Sequence, residues 1–120
     1  MIQSIDKKMN VDDITYVTIR KIQLMEEKSP LFTKIDRNFY SETLEYLENL
    51  GEIPEEEIQT IKRIIDSIYE LREKKIMKAV LSKARGGKPD LKNLMDAERK
   101  LFDSALDILI QSRTRFFSKY

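Results

Sequence analysis

The sequence predicts an all-α fold, a bundle of about four helices whose last two form a long antiparallel hairpin. Punctuation is the first sign. The three Gly and three Pro residues fall only at Pro30, at Gly51 and Pro54, and at Gly86, Gly87 and Pro89, leaving long stretches without helix breakers. Periodicity is the second: apolar residues recur every three or four positions, and no alternating run is long enough to read as a strand. The 120 residues suffice for one domain that buries roughly two-thirds of its unfolded surface.

Residues 1–10 are expected to form a flexible N-terminus and residues 11–120 the helical domain. The first helix, residues 11–28, repeats Ile14, Val17, Ile22 and Met25 and stops at Ser29-Pro30. Asn38 is the expected N-cap of a short second helix with a face of Tyr40, Leu44, Leu47 and Leu50, closed by Gly51 at C′. Pro54 opens the third at its first turn. Glu55, Glu56 and Glu57 follow, where negative charge suits a helix start, and the helix should reach Ala84. Asp90 is the expected cap of a fourth helix running towards Phe117. A helix of about thirty residues spans roughly 45 Å, more than one small core needs, so flanking residues are left for a partner chain. These are Ile64, Tyr69, Leu71 and Ile76 on one helix, and Phe102, Leu106, Leu109 and Phe116 on the other.

Charges interrupt both long stripes. Ile58, Ile61, Ile65, Ile68, Arg72, Lys75, Ala79 carries two cations, and Leu91, Leu94, Glu98, Leu101, Ala105, Ile108 carries one carboxylate. An antiparallel hairpin turning at Gly86-Gly87 sets Lys75 nearly opposite Glu98, with Arg72 a turn away. Arg72, Lys75 and Glu98 are therefore expected to form a structural ion cluster that fixes helix register.

Composition narrows the chemistry. The chain has no Cys and no His, which removes disulfides, thiolate metal sites, the commonest general base and the commonest metal ligand. No metal site and no cofactor are expected. No apolar run suggests a leader or a membrane span, so the expected setting is the cytoplasm. The net charge of +1 hides a split: residues 1–60 hold 7 Lys and Arg against 13 Asp and Glu, and residues 61–120 hold 15 against 8. That asymmetry suits two halves that pack together, or faces that meet different partners, better than one continuous nucleic-acid footprint.

The remaining candidates are weaker. Catalysis by Lys75 with Glu98 is disfavoured against a packing role. The acids Glu52, Glu55, Glu56 and Glu57 lack the alternating ligand spacing of a calcium loop. Lys83, Arg85, Lys88 and Lys92 surround Gly86-Gly87, but no strand precedes the glycines, so an exposed basic turn with incidental DNA contact is expected rather than a phosphate loop. Phe116, Phe117 and Tyr120 alternate with Arg113, Arg115 and Lys119, a pattern that fits a helix end docking on protein better than stacking on bases.

Asn38-Phe39-Tyr40 with Leu44 and Leu47, then Leu71-Arg72-Glu73-Lys74-Lys75-Ile76 with Ala79, then Glu98 with Leu101-Phe102, resemble in order and spacing the helical A domain of the archaeal GINS replication proteins. The branch most similar places the helical domain before a small β domain. This chain is expected to be either the helical domain alone or a short member without the linker and β domain, and Asn38 stands where the family often has Asp. The resemblance implies a non-catalytic subunit of a homo- or hetero-tetramer with other GINS subunits. It also implies an accessory role at chromosomal DNA, bridging the MCM helicase and a RecJ-like nuclease partner. Phe39, Tyr40, Leu44, Tyr69, Phe102, Leu106, Leu109, Phe116 and Phe117 would then be interface or core anchors. The competing expectation is a helical nucleic-acid-binding module that uses the basic C-terminal half.

Overall fold

Four helices and no strand make up the described residues, 15–118, of a computed structural model of the chain: α1 (Tyr16–Lys28), α2 (Phe39–Glu48), α3 (Glu55–Ala84) and α4 (Asp96–Phe117). Residues 1–14 and 119–120 lie outside the description, and with them the expected flexible N-terminus and the first residues of the expected first helix. Helix α1 opens on a reciprocal cap. The Thr18 amide donates to Thr15 Oγ1, and the Thr15 amide donates to Thr18 Oγ1 at 2.8 Å. Asn38 occupies the N-cap of α2, but its side chain makes no capping bond. Asn49 is the C-cap there, so Gly51, at φ 74°, sits one position beyond the expected C′.

Helix α3 is the spine. Its lower half packs on α1 and α2 through Ile19, Phe39, Ile61, Ile64 and Ile68, and its upper half packs on α4 through Ile76, Ala79, Val80 and Phe102, with Phe32 between. The stripes are thus rotated from the expected ones. Ile64, Ile76 and Phe102, expected at the flanks, are buried, whereas Leu101 and Ile108 are exposed.

The direction of α4 is the main departure from the expected hairpin. Glu98, near its start, meets Arg72; Phe102 packs on Ile76 and Ala79; Arg113, near its end, donates to the Ala84 carbonyl at 3.5 Å. Contacts advance along both helices together, so α4 runs parallel to α3. An antiparallel pairing requires a tight turn, and residues 91–95 are not helical. Asp90 does not cap α4: its carboxylate accepts from the Lys92 amide, and the N-cap is Met95. The eleven residues 85–95 instead return along α3 from Ala84 to Arg72, a rise of about 18 Å that an extended strand of chain covers easily. With α4 carried past the end of α3, the molecule measures 67 × 32 × 22 Å.

Gly87 fixes where this return begins. Its amide donates to the Ser82 carbonyl at 2.8 Å, and a Cβ there would collide with Ser82 Oγ and lie 2.9 Å from Ser82 O, a backbone atom that cannot step aside. Gly87→Ala is expected to lower stability by about 1–3 kcal/mol in urea unfolding, the ordinary cost of forcing atoms into a packed site. Gly86→Ala differs in cause: nothing lies within 4 Å, but φ is 91° and the penalty is backbone strain.

Candidate functional site

Arg72 stands where the two clusters of the core meet and is 1 % exposed. Every one of its five N–H donors has an acceptor. Nε and Nη2 hold the Glu98 carboxylate side-on, both at 2.7 Å. Nη1 donates to Glu26 Oε1 at 2.8 Å and to the Thr33 carbonyl at 2.7 Å, and Nη2 also reaches the Asn93 carbonyl at 3.0 Å. The guanidinium lies 5.5 Å from the centre of the Phe32 ring. One side chain thereby ties α3 to the end of α1, to the loop after it, to the return segment and to the start of α4.

Lys75 completes the cluster from a different side. Its ammonium donates to Glu26 Oε2 at 2.5 Å, to the Glu26 carbonyl at 2.8 Å and to the Leu31 carbonyl at 2.7 Å. Two cations and two carboxylates therefore sum to zero, which is the condition under which buried charge is tolerated. The pairing differs from the expected one: Arg72, not Lys75, holds Glu98, and Lys75 reaches back to α1. Glu26, the second carboxylate, is not among the expected site residues. Its signal is nonetheless present in the sequence, because Glu26 falls on the Ile19–Ile22 stripe of α1 just as Arg72 falls on that of α3. Glu98 also caps its own helix by accepting from the Met95 amide at 3.0 Å.

Burial alone would draw a proton off Arg72, but the hydrogen-bonded carboxylates of Glu98 and Glu26 outweigh it and hold the pKa above its usual value. With all five Arg72 donors engaged, the cluster holds α1, α3, α4 and the two intervening segments together.

Beside it, Phe39, Tyr40 and Tyr69 form an edge-to-face series with ring centres 5.2 and 5.9 Å apart. Burial, then the charge of Glu98, raises the Tyr40 pKa above its usual 10.0. The sign follows directly: the fold favours the neutral phenol, so its stabilisation is intact below pH 10 and is lost as pH rises beyond it. Thermal melts between pH 10 and 12 should fall less steeply for Tyr40→Phe than for the unaltered chain; equal slopes would assign alkaline unfolding elsewhere.

The other expected anchors divide. Phe39 and Phe102 are core residues, and Tyr40, Leu106 and Leu109 are half-buried. Leu44, Tyr69, Phe116 and Phe117 are exposed, Leu44 against the expectation that it lies on the buried face of α2. Lys83, Arg85, Lys88 and Lys92 lie at the C-terminal end of α3 and along the return segment, and all four are exposed. Among the described residues no group of three or more acidic side chains could hold a metal ion, and no helix is long and apolar enough to cross a membrane.

Residues 16–119 match the family described as the GINS complex subunit Psf2/Psf3-like N-terminal domain. Neither a curated protein nor a solved structure gave a match.

Proposed function

The chain belongs to the GINS family of replication-complex subunits, and from that premise we propose that it is a non-catalytic subunit of a tetrameric assembly. In this reading the assembly scaffolds the replicative helicase, joining MCM to a RecJ-like partner at chromosomal DNA, with this chain as an archaeal-type helical domain of the branch that carries a β domain after it. The observation that carries the reading is the extent of the family match, which takes in all four helices. Two features of the molecule agree with it. The buried ions are spent on internal hydrogen bonds, and large apolar side chains remain exposed along α3 and α4. The test is co-purification with a second GINS subunit, followed by mass measurement and capture of MCM. A complex of defined stoichiometry is expected; no association with any GINS subunit or with MCM would overturn the reading.

DNA contact through Lys83, Arg85, Lys88 and Lys92 is the second reading, favoured by the exposure of all four around the turn at Gly86-Gly87 and along the return segment. Helix direction supplies a competing reason for those charges. Helix α3 ends beside Lys83 and Arg85, where cations offset the partial negative charge of its last unpaired carbonyls. If the four residues do bind DNA, replacing them together with Gln should weaken binding and flatten its salt dependence by about one logarithmic unit for each phosphate no longer neutralised. An unchanged slope would leave the cations to the helix ends.

A further inference from the structure

A cleft of about 540 Å³ lies between α3, the end of α1 and the loop of residues 29–32, with Pro89 and Asp90 of the return segment adjoining it. Leu71, Lys75 and Ala79, each four residues after the last, form its half-buried or buried floor, and the row beside them, Lys74, Lys78 and Ser82, forms its rim. Lys75 fixes the opposite wall. Its bonds to the Glu26 and Leu31 carbonyls pin the loop to α3, so the cleft is formed before anything enters it. Pro30 and Leu31 stand exposed on that wall, Leu31 by 52 %. Lys28, Lys74 and Lys78 line the same space as exposed cations, and none of them is in an ion pair among the described residues.

We propose that this cleft docks an extended acidic peptide of a partner protein, with carboxylates at alternate positions on Lys74 and Lys78 and the apolar side chain between them on Pro30 and Leu31. Spacing selects the carboxylates. Four residues of helix rise about 6 Å and two residues of extended chain about 6.7 Å, so side chains i and i+2 of the peptide meet both lysines, while i+1 points the other way, onto the loop wall. Shape selects the extended chain. From Leu71 to Ser82 the cleft follows α3 for roughly 16 Å, the length of about five extended residues, and its volume spread over that length leaves a cross-section of roughly 34 Å². A helix about 10 Å across needs more than twice that. Charge sets the limit. Glu27 and Asp90 also line the cleft, and the Asp90 carboxylate is held by the Lys92 amide. Two or three peptide carboxylates are balanced by the three lysines, whereas a nucleic-acid backbone, with a phosphate at every step and nothing apolar for Pro30 and Leu31, is opposed by those acids. The peptide's owner is a partner beyond those of the assembly reading. A chain that joined no GINS subunit and no MCM could still hold the peptide, so the two readings fail separately.

The test titrates the full chain into a dye-labelled peptide, Glu-Leu-Glu-Leu-Glu, and follows fluorescence anisotropy. Saturable binding that weakens as salt rises is expected. Lys74→Glu and Lys78→Glu should each weaken it about tenfold, and both together by more, while Lys83→Gln with Arg85→Gln, outside the cleft, should leave it unchanged. Leu31→Ser should weaken it about fivefold with helix content unchanged, because that side chain is exposed and only the carbonyl of Leu31 bonds Lys75. Absence of binding by the unaltered chain, equal binding of Gln-Leu-Gln-Leu-Gln, indifference to the Lys74→Glu and Lys78→Glu pair, or displacement of the peptide by an equal concentration of a five-nucleotide single-stranded DNA would each refute the docking.

Discussion

Arg72→Met is expected to lower stability by about 3–5 kcal/mol, a fall in Tm of roughly 10 to 25 °C for a domain this size. The side chains have similar reach, so the loss is electrostatic rather than steric. Glu98 loses its side-on partner and Glu26 loses one of two cations, leaving buried carboxylates with more charge than hydrogen bonds. Removing all four charges together, with Glu26→Leu, Arg72→Met, Lys75→Met and Glu98→Leu, should recover part of that loss. Recovery stays partial because the carbonyls of Thr33, Leu31 and Asn93 also lose their donors. Chemical unfolding of the two variants decides it: a quadruple variant less stable than Arg72→Met would mean that the carbonyl bonds, not the ion pairs, carry the energy.

Phe102→Ala should cost a similar amount, about 3–5 kcal/mol, for a different reason. Phe102 is 2 % exposed and is the residue of α4 that enters the cluster of Ile76, Ala79, Val80 and Phe32. Its removal empties the centre of the upper half. The lower half keeps Ile19, Phe39, Ile61, Ile64 and Ile68, none of which belongs to that cluster. Hydrogen exchange should therefore show α4 amides losing protection while α1 and the first half of α3 retain theirs. Uniform loss along the chain would show that the two clusters unfold as one.

Helix positions are legible in the sequence because Gly and Pro do local work. The boundaries of α3 follow from Pro54 and Gly86, and its length is plain. Charges on apolar stripes point to Arg72 and Glu98, since a buried charge needs a counter-charge wherever it sits. Direction is not legible. A 3.6-residue period looks the same read up or down a neighbour, and pairing Lys75 with Glu98 requires helix to resume soon after Gly87. Pro89 and Asn93 speak against that: the φ of Asn93 is 72°, a conformation Asn tolerates better than most residues. Glu26 escapes a reading that weighs stray charges only on the two long helices, although α1 carries the same kind of interruption. The choice of Ile64 over Ile65 is a matter of one residue's rotation, which packing against α1 and α2 settles and periodicity does not.

A parallel α3–α4 pair has a consequence in time. An antiparallel hairpin closes from its turn, each contact shortening the next loop, whereas here the chain must finish α3, travel back along it and start α4 before Glu98 can find Arg72. The bonds to Arg72 bridge 21, 26, 39 and 46 residues of sequence. Such separations raise the entropy of loop closure and the contact order, so refolding should be slower than that of an up-and-down helical bundle of equal length. The ionic knot that holds the finished molecule together is thus among the last of its contacts that the chain can make.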